Sequence, residues 1–104
     1  MARLKIFWTS TALVQRDYVF EYWNNRNKNT SYSQRLNSKI KERINYLKTN
    51  PFPGKLTEFK NTRVLSLGHY NIFYRADESK VIITGFWDNR QNPKKLLQLL
   101  RRID

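Results

Sequence analysis

Apolar positions along the chain change their period near its middle. Leu4-Lys5-Ile6-Phe7-Trp8 is a short apolar run that stops at Thr9-Ser10-Thr11, a cluster of good helix N-cap residues, which predicts a strand handing over to a helix. Ala12, Val19, Tyr22 and Trp23, with Leu13 and Phe20 beside them, then recur at helical intervals up to about Asn24. Asn24 to Ser33 is polar and rich in Asn, and reads as a connection. In the next segment Leu36, Ile40, Ile44 and Leu47 make one apolar stripe, while Arg35, Lys39, Lys41, Arg43 and Lys48 take the other faces. Pro51, Pro53 and Gly54 end this helix, since Pro lacks the N–H donor and biases Asn50 out of the helical region. The short connection predicts that the two helices form a hairpin.

The second half alternates instead. Arg63 to Leu67, Tyr70 to Arg75 and Val81 to Trp87 are three strand-like runs, broken at Gly68-His69 and at Asp77-Glu78-Ser79-Lys80, which predicts an antiparallel meander. Alternation places Tyr70, Ile72 and Tyr74 on one sheet face, Asn71, Phe73 and Arg75 on the other, and Arg63 with Leu65 and Leu67 on one side of the preceding strand. Leu96, Leu97, Leu99, Leu100 and Ile103 then give a wide apolar face to a short helix from Lys94, with Pro93 acceptable in its first turn. Helices grouped early and strands grouped late predict an α+β fold: N-terminal strand, helical hairpin, three-stranded meander, short C-terminal helix.

At 104 residues the chain fits a single domain over 1–104, and 39% hydrophobic residues supply one core. Lys and Arg number 20 against eight Asp and Glu, a formal net charge of +12 that runs through all thirds of the sequence rather than forming a tail. Such an excess points to nucleic acid, an anionic membrane surface or an acidic protein as partner. With no Cys and one His, disulfides, thiolate metal sites and histidine-rich metal sites are not expected. No run approaches the roughly 18 apolar residues of a membrane span, and no signal-peptide core follows Met1, so a cytoplasmic protein is expected.

No phosphate-cradling glycine loop, metalloprotease helix or nucleophile elbow occurs, and no cofactor is implied. What remains is a basic and aromatic set: Lys55, Lys60, Arg63, Arg75, Arg90, Lys94 and Lys95, interleaved with Tyr70, Tyr74, Phe86 and Trp87, a mixture suited to phosphate contacts and base stacking. Metal-free RNA cleavage needs a group to take the 2′-hydroxyl proton, cations for the charge on phosphorus, and an acid for the leaving oxygen. Arg and Lys can supply the cations, while His69, Asp88, Glu58 and the tyrosines are the candidate proton carriers. For each a plainer role stands beside the chemical one. The lysines fit a solvated surface, His69 fits a turn after Gly68, and Tyr70 and Tyr74 fit the core. Arg63 opens a strand beside apolar neighbours, and Arg90 lies in the joint Asp88-Asn89-Arg90-Gln91-Asn92-Pro93, where it either serves function or pairs with Asp88.

Taken in order, Phe7-Trp8-Thr9-Ser10 with Ala12, Leu47 with Pro51 and Gly54, Arg63, Tyr70 to Tyr74, and Asp88 to Pro93 resemble the RelE/ParE superfamily of type II toxins. The resemblance covers nearly the whole chain. It implies a toxin that inhibits growth and is neutralised, in a hetero-oligomer, by a cognate antitoxin whose extended and frequently acidic segment suits the +12 charge. The RelE-like branch cuts mRNA on the ribosome with Arg and Lys plus a Tyr, His or Glu, whereas the ParE-like branch poisons DNA gyrase. Here Asn71 stands where RelE-like nucleases commonly carry a catalytic Arg, and Asp88 where many members have His, which tilts the expected target toward gyrase. In the nuclease alternative, Arg63 and Arg90 are the electrostatic stabilisers and Asp88 or His69 the proton carriers. Lys60, Asn71, Arg75 and Lys94 are the further candidates for target or phosphate binding. Arg16 departs from the family, which has an apolar residue on the first helix at that point. A non-toxic RNA- or DNA-binding module on the same fold is the other functional reading.

Overall fold

The computed structural model describes residues 3–90, so the helix expected from Lys94 to Ile103, and Lys94 itself, lie outside the described residues. In chain order the elements are β1 (Lys5–Trp8), α1 (Ser10–Asn27), α2 (Ser31–Leu47), β2 (Lys55–Leu56), β3 (Arg63–Leu67), β4 (Tyr70–Ala76) and β5 (Lys80–Asp88). The strands form a five-stranded sheet in the order β1-β5-β4-β3-β2. The expected meander is its antiparallel centre, and β1 runs parallel to β5, with α1 and α2 lying in the chain between them.

Thr9 caps α1 as expected, its Oγ1 accepting the Ala12 N–H at 3.1 Å. The helix outruns the expected end near Asn24 and continues to Asn27. Asn24 is a poor helix former, but its Oδ1 accepts the Ser33 hydroxyl at 2.6 Å, and this bond between the helices holds the extra turn in place. Lys28 closes α1 in the left-handed region at φ 58°, leaving a connection too short for anything but an antiparallel hairpin. Along α2 the stripe Leu36, Ile40, Ile44 and Leu47 is buried as its spacing predicts. These residues share one core with Ala12, Val19, Tyr70, Ile72, Tyr74, Val81, Ile83 and Phe86. A smaller cluster forms around Phe73 and Trp87 with Phe59 and Val64. Among the described residues no helix is long and apolar enough to cross a membrane.

Two local features decide where the side chains of the sheet point. Gly68 turns β3 into β4 at φ +59°, a conformation that side chains rarely adopt. Between β4 and β5, Phe73 pairs with Gly85 but Tyr74 pairs with Ile83, so Thr84 is an extra residue in β5. Ile83 and Phe86 would face opposite ways in a regular strand, yet both are buried in the same core, because the bulge resets the alternation between them. Past the last β1–β5 pair, Trp8 with Ile83, the Phe86 N–H donates to Gln15 Oε1 of α1 at 2.9 Å. Beyond the bulge, Asp88 stands opposite Tyr70 on the helix side of the sheet.

Arg16 lies over two aromatic rings. Its guanidinium lies 5.1 Å from the Trp8 ring centroid and 5.6 Å from that of Phe20, and pairs with Asp17 at 3.0 Å, so it covers the rings where an apolar residue is expected.

Candidate functional site

The end of β5 and the last turns of α1 enclose a groove of about 410 Å³ lined by Tyr18, Val19, Tyr22, Trp23, Arg26, Asp88 and Arg90. At its base three aromatic residues are joined by their polar atoms. Trp23 Nε1 donates to the Tyr70 hydroxyl at 3.1 Å, and the Tyr32 hydroxyl bonds the same oxygen at 3.0 Å. Burial, with the hydrogen bond and charge of Tyr32, pushes the Tyr70 phenol well above its ordinary value, against the lowering effect of the Trp23 N–H. The rings pack as well, Trp23 on Tyr32 at 4.9 Å and Tyr70 stacked on Phe86 at 5.2 Å.

Arg90 closes the groove. Its Nε and backbone N–H both donate to Asp88 Oδ1 at 2.9 Å, and its Nη2 donates to Oδ2 at 2.7 Å, a fork that occupies both carboxylate oxygens. The guanidinium carbon lies 5.5 Å from the Trp23 ring centroid and 5.9 Å from that of Tyr70. Burial alone would raise the Asp88 carboxyl, but the hydrogen bonds and charge of Arg90, helped by the charge of His69, hold it below the usual carboxylate range. The same hydrogen bonds raise the Arg90 guanidinium above its ordinary value. Arg26 adds a second cation over Trp23 at 5.8 Å.

The other candidates from the sequence fall elsewhere. His69 is exposed in the β3–β4 turn, where its carbonyl accepts the Asn89 N–H at 2.7 Å. Asn71 pairs with Trp87, one step along β4 from Tyr70 and therefore on the opposite face, and its Nδ2 donates to Asn89 Oδ1 at 2.7 Å. Arg63 pairs with Tyr74, whereas Asp88 pairs with Tyr70, which separates them by four residues, or roughly 13 Å, along β4. There Arg63 Nη1 donates to the Gly54 carbonyl at 2.8 Å and its guanidinium lies 5.1 Å from the Phe52 ring centroid. The Gly54 N–H donates to the Tyr74 hydroxyl at 3.0 Å, so Arg63 and Tyr74 together grip the loop that follows α2. Burial raises the Tyr74 phenol, and the Gly54 N–H and the Arg63 charge oppose it. Arg75 Nε reaches Thr62 Oγ1 at 3.4 Å, and Lys60 is exposed in the same turn, where its carbonyl accepts the Thr62 hydroxyl.

The structure thus brings Asp88, Arg90 and the backbone of His69 together and leaves Arg63, Asn71, Lys60 and Arg75 outside their groove. Trp23 and Arg26 line that groove but are not among the sequence candidates, and Tyr32, which supports it, is included there only with the tyrosines as a group. Trp23 carries a weak signal, being a large aromatic on the side of α1 that meets the sheet, but a stripe of aromatic residues reads first as core.

Comparison with known proteins decides the family. The family model for the ParE toxin of the parDE type II toxin–antitoxin system matches residues 6–93. The chain belongs to this family. This ParE-family toxin is also similar in structure to a solved chain of the chromosomal ParDE toxin–antitoxin system from P. aeruginosa, with a TM-score of 0.70 and 17% identity over 83% of this chain and 96% of that one. No curated protein matches by sequence. The α+β architecture expected from the sequence is therefore that of a ParE-family toxin. The protein is the toxin of a type II toxin–antitoxin pair, with an antitoxin as partner.

Proposed function

We propose that this ParE-family toxin arrests growth by poisoning DNA gyrase in the cytoplasm, and that it does so without cutting RNA. The observation that carries this reading is the closed Asp88–Arg90 fork. Metal-free RNA cleavage needs a base with a free lone pair, an acid able to release its proton, and cations placed around one phosphate. Asp88 has both oxygens occupied and a depressed pKa, which makes it a weak base near neutral pH. Tyr70 is held protonated, which makes it a weak acid. Arg63 binds its own loop at the far end of β4, and Asn71 brings no charge. In this reading Arg90, Asp88 and the aromatic groove form a rigid recognition surface.

Purified gyrase with supercoiled plasmid tests the proposal. The toxin is expected to trap cleaved DNA–gyrase complexes in proportion to its concentration, and antitoxin is expected to reverse this. Unimpaired supercoiling at excess folded toxin would overturn it.

Ribosome-dependent mRNA cleavage is the second reading, and the position of His69 favours it, an exposed imidazole in the β3–β4 turn whose carbonyl is bonded to the Asn89 N–H beside Asp88. It predicts that His69→Ala abolishes toxicity, whereas gyrase poisoning predicts that it does not.

A further inference from the structure

The outward side of α2 carries a row of exposed cations. Arg35, Lys39 and Arg43 stand at i, i+4 and i+8, all exposed, and form a row about 12 Å long with about 6 Å between successive cations. Among the described residues none of the three makes a hydrogen bond or an ion pair through its side chain, and Glu42, the one acid on the helix, makes none either. Like charges at i, i+4 destabilise a helix by a few tenths of a kcal/mol per pair, so folding alone gives no reason to align them. Their neighbours Gln34, Ser38, Glu42 and Asn45 are exposed and polar, Glu42 leaving three cations against one acid on this side, and Tyr46 ends the row with 54% of its surface exposed.

These are the side chains that contact phosphates and sugars in protein complexes with nucleic acids. We propose that this face of α2 binds the phosphodiester backbone of a nucleic acid, with Arg35, Lys39 and Arg43 each facing a phosphate and Tyr46 at the end of the footprint. A peptide docked through apolar anchors needs a groove to receive them. The 410 Å³ groove and a second one of about 330 Å³ between Phe52, Arg63 and Lys80 draw no residue from α2. A polyanion needs only spaced cations, and a duplex offers one negative charge per roughly 1.7 Å of its axis. Binding of this kind is independent of sequence and needs neither gyrase nor the Asp88–Arg90 groove, so it stands or falls apart from the proposed target.

The test is fluorescence anisotropy of the full-length toxin with a labelled 20-base-pair DNA duplex and, separately, a 20-nucleotide RNA, each titrated between 50 and 200 mM NaCl. Three neutralised phosphates weaken duplex binding by roughly 40-fold over that range, a logarithmic slope of about −2.7. Arg35→Gln/Lys39→Gln/Arg43→Gln is expected to remove most of that slope, and Lys39→Gln alone about one third of it. Lys5→Gln/Lys55→Gln/Lys80→Gln, which removes the same charge from the sheet strands, is expected to leave most of it. The ratio of the DNA and RNA affinities identifies which polymer the face prefers. Wild-type affinity and slope in the folded α2 variant, or an equal loss in the sheet variant, would overturn the proposal, the second by reducing the effect to net charge. An α2 variant that keeps nucleic-acid binding but loses antitoxin would overturn it in favour of an acidic protein partner.

Discussion

Asp88 and Arg90, two residues apart, close a fork in which Nε meets Oδ1 at 2.9 Å and Nη2 meets Oδ2 at 2.7 Å. The carboxylate side of this pair is 11% exposed and the guanidinium side 46%, so one partner is nearly withdrawn from water while the other bridges to the groove. Removing the exposed partner strands the buried one. Arg90→Gln is expected to cost about 1–3 kcal/mol in denaturant unfolding at pH 7, the penalty of a buried carboxylate left short of donors. Asp88→Asn/Arg90→Gln is expected to recover part of that loss.

The same pair sets a pH dependence. Because the Asp88 carboxyl is lower in the folded state than its ordinary value of 3.8, its contribution is complete above that value and is lost as pH falls through the lower, folded one. In Arg90→Gln the raising effect of burial is no longer opposed by Arg90. The stability difference between wild type and Arg90→Gln is therefore expected to be largest at pH 7 and to shrink toward pH 3. Urea unfolding at fixed pH values across that interval measures it, and a gap that stays constant would contradict the linkage.

Tyr70 is a joint between sheet and helices, since its hydroxyl takes the Trp23 N–H and bonds Tyr32. Tyr70→Phe is expected to destabilise the fold by about 1–2 kcal/mol while leaving the ring stacked on Phe86, because two polar groups lose their partner. Thermal unfolding gives the magnitude. Loosening of the groove should appear as altered tryptophan fluorescence once Trp8 and Trp87 are replaced by Phe, leaving Trp23.

Gly54 has no room for a side chain. An added Cβ would lie 2.7 Å from the Val64 carbonyl oxygen and 2.8 Å from the Tyr74 hydroxyl. Gly54→Ala is therefore expected to cost about 1–3 kcal/mol and to disturb the loop that Arg63 holds. Arg63→Met keeps the packing on Phe52 but loses the bond to the Gly54 carbonyl, so it is expected to lower stability by about 1 kcal/mol or more. If Arg63 serves the fold alone, toxicity at permissive temperature will persist in that variant.

The parts of this structure that were legible in the sequence are those dictated by period. The α2 stripe from Leu36 to Leu47 and the alternation of Tyr70, Ile72 and Tyr74 each follow from one element meeting one core. What could not be read depends on partners distant in the chain. The two-residue strand Lys55–Leu56 has no pattern of its own and exists because it pairs with Arg63 and Val64. The extra residue Thr84 is visible only in the register between β4 and β5, yet it puts Asp88 beside Tyr70. Asn24 to Asn27 reads as loop by composition and is helix because Ser33 bonds Asn24. At the site, the sequence left Arg90 open between function and a pair with Asp88. The pair is present, and both residues line the groove.

The most direct test of gyrase poisoning against RNA cleavage is to map mRNA 5′ ends at nucleotide resolution within minutes of inducing the toxin without antitoxin. Gyrase poisoning with a closed Asp88–Arg90 fork predicts arrested growth, intact mRNA and DNA damage. Cuts in phase with the reading frame, lost in His69→Ala, would contradict it and make the groove part of a nuclease.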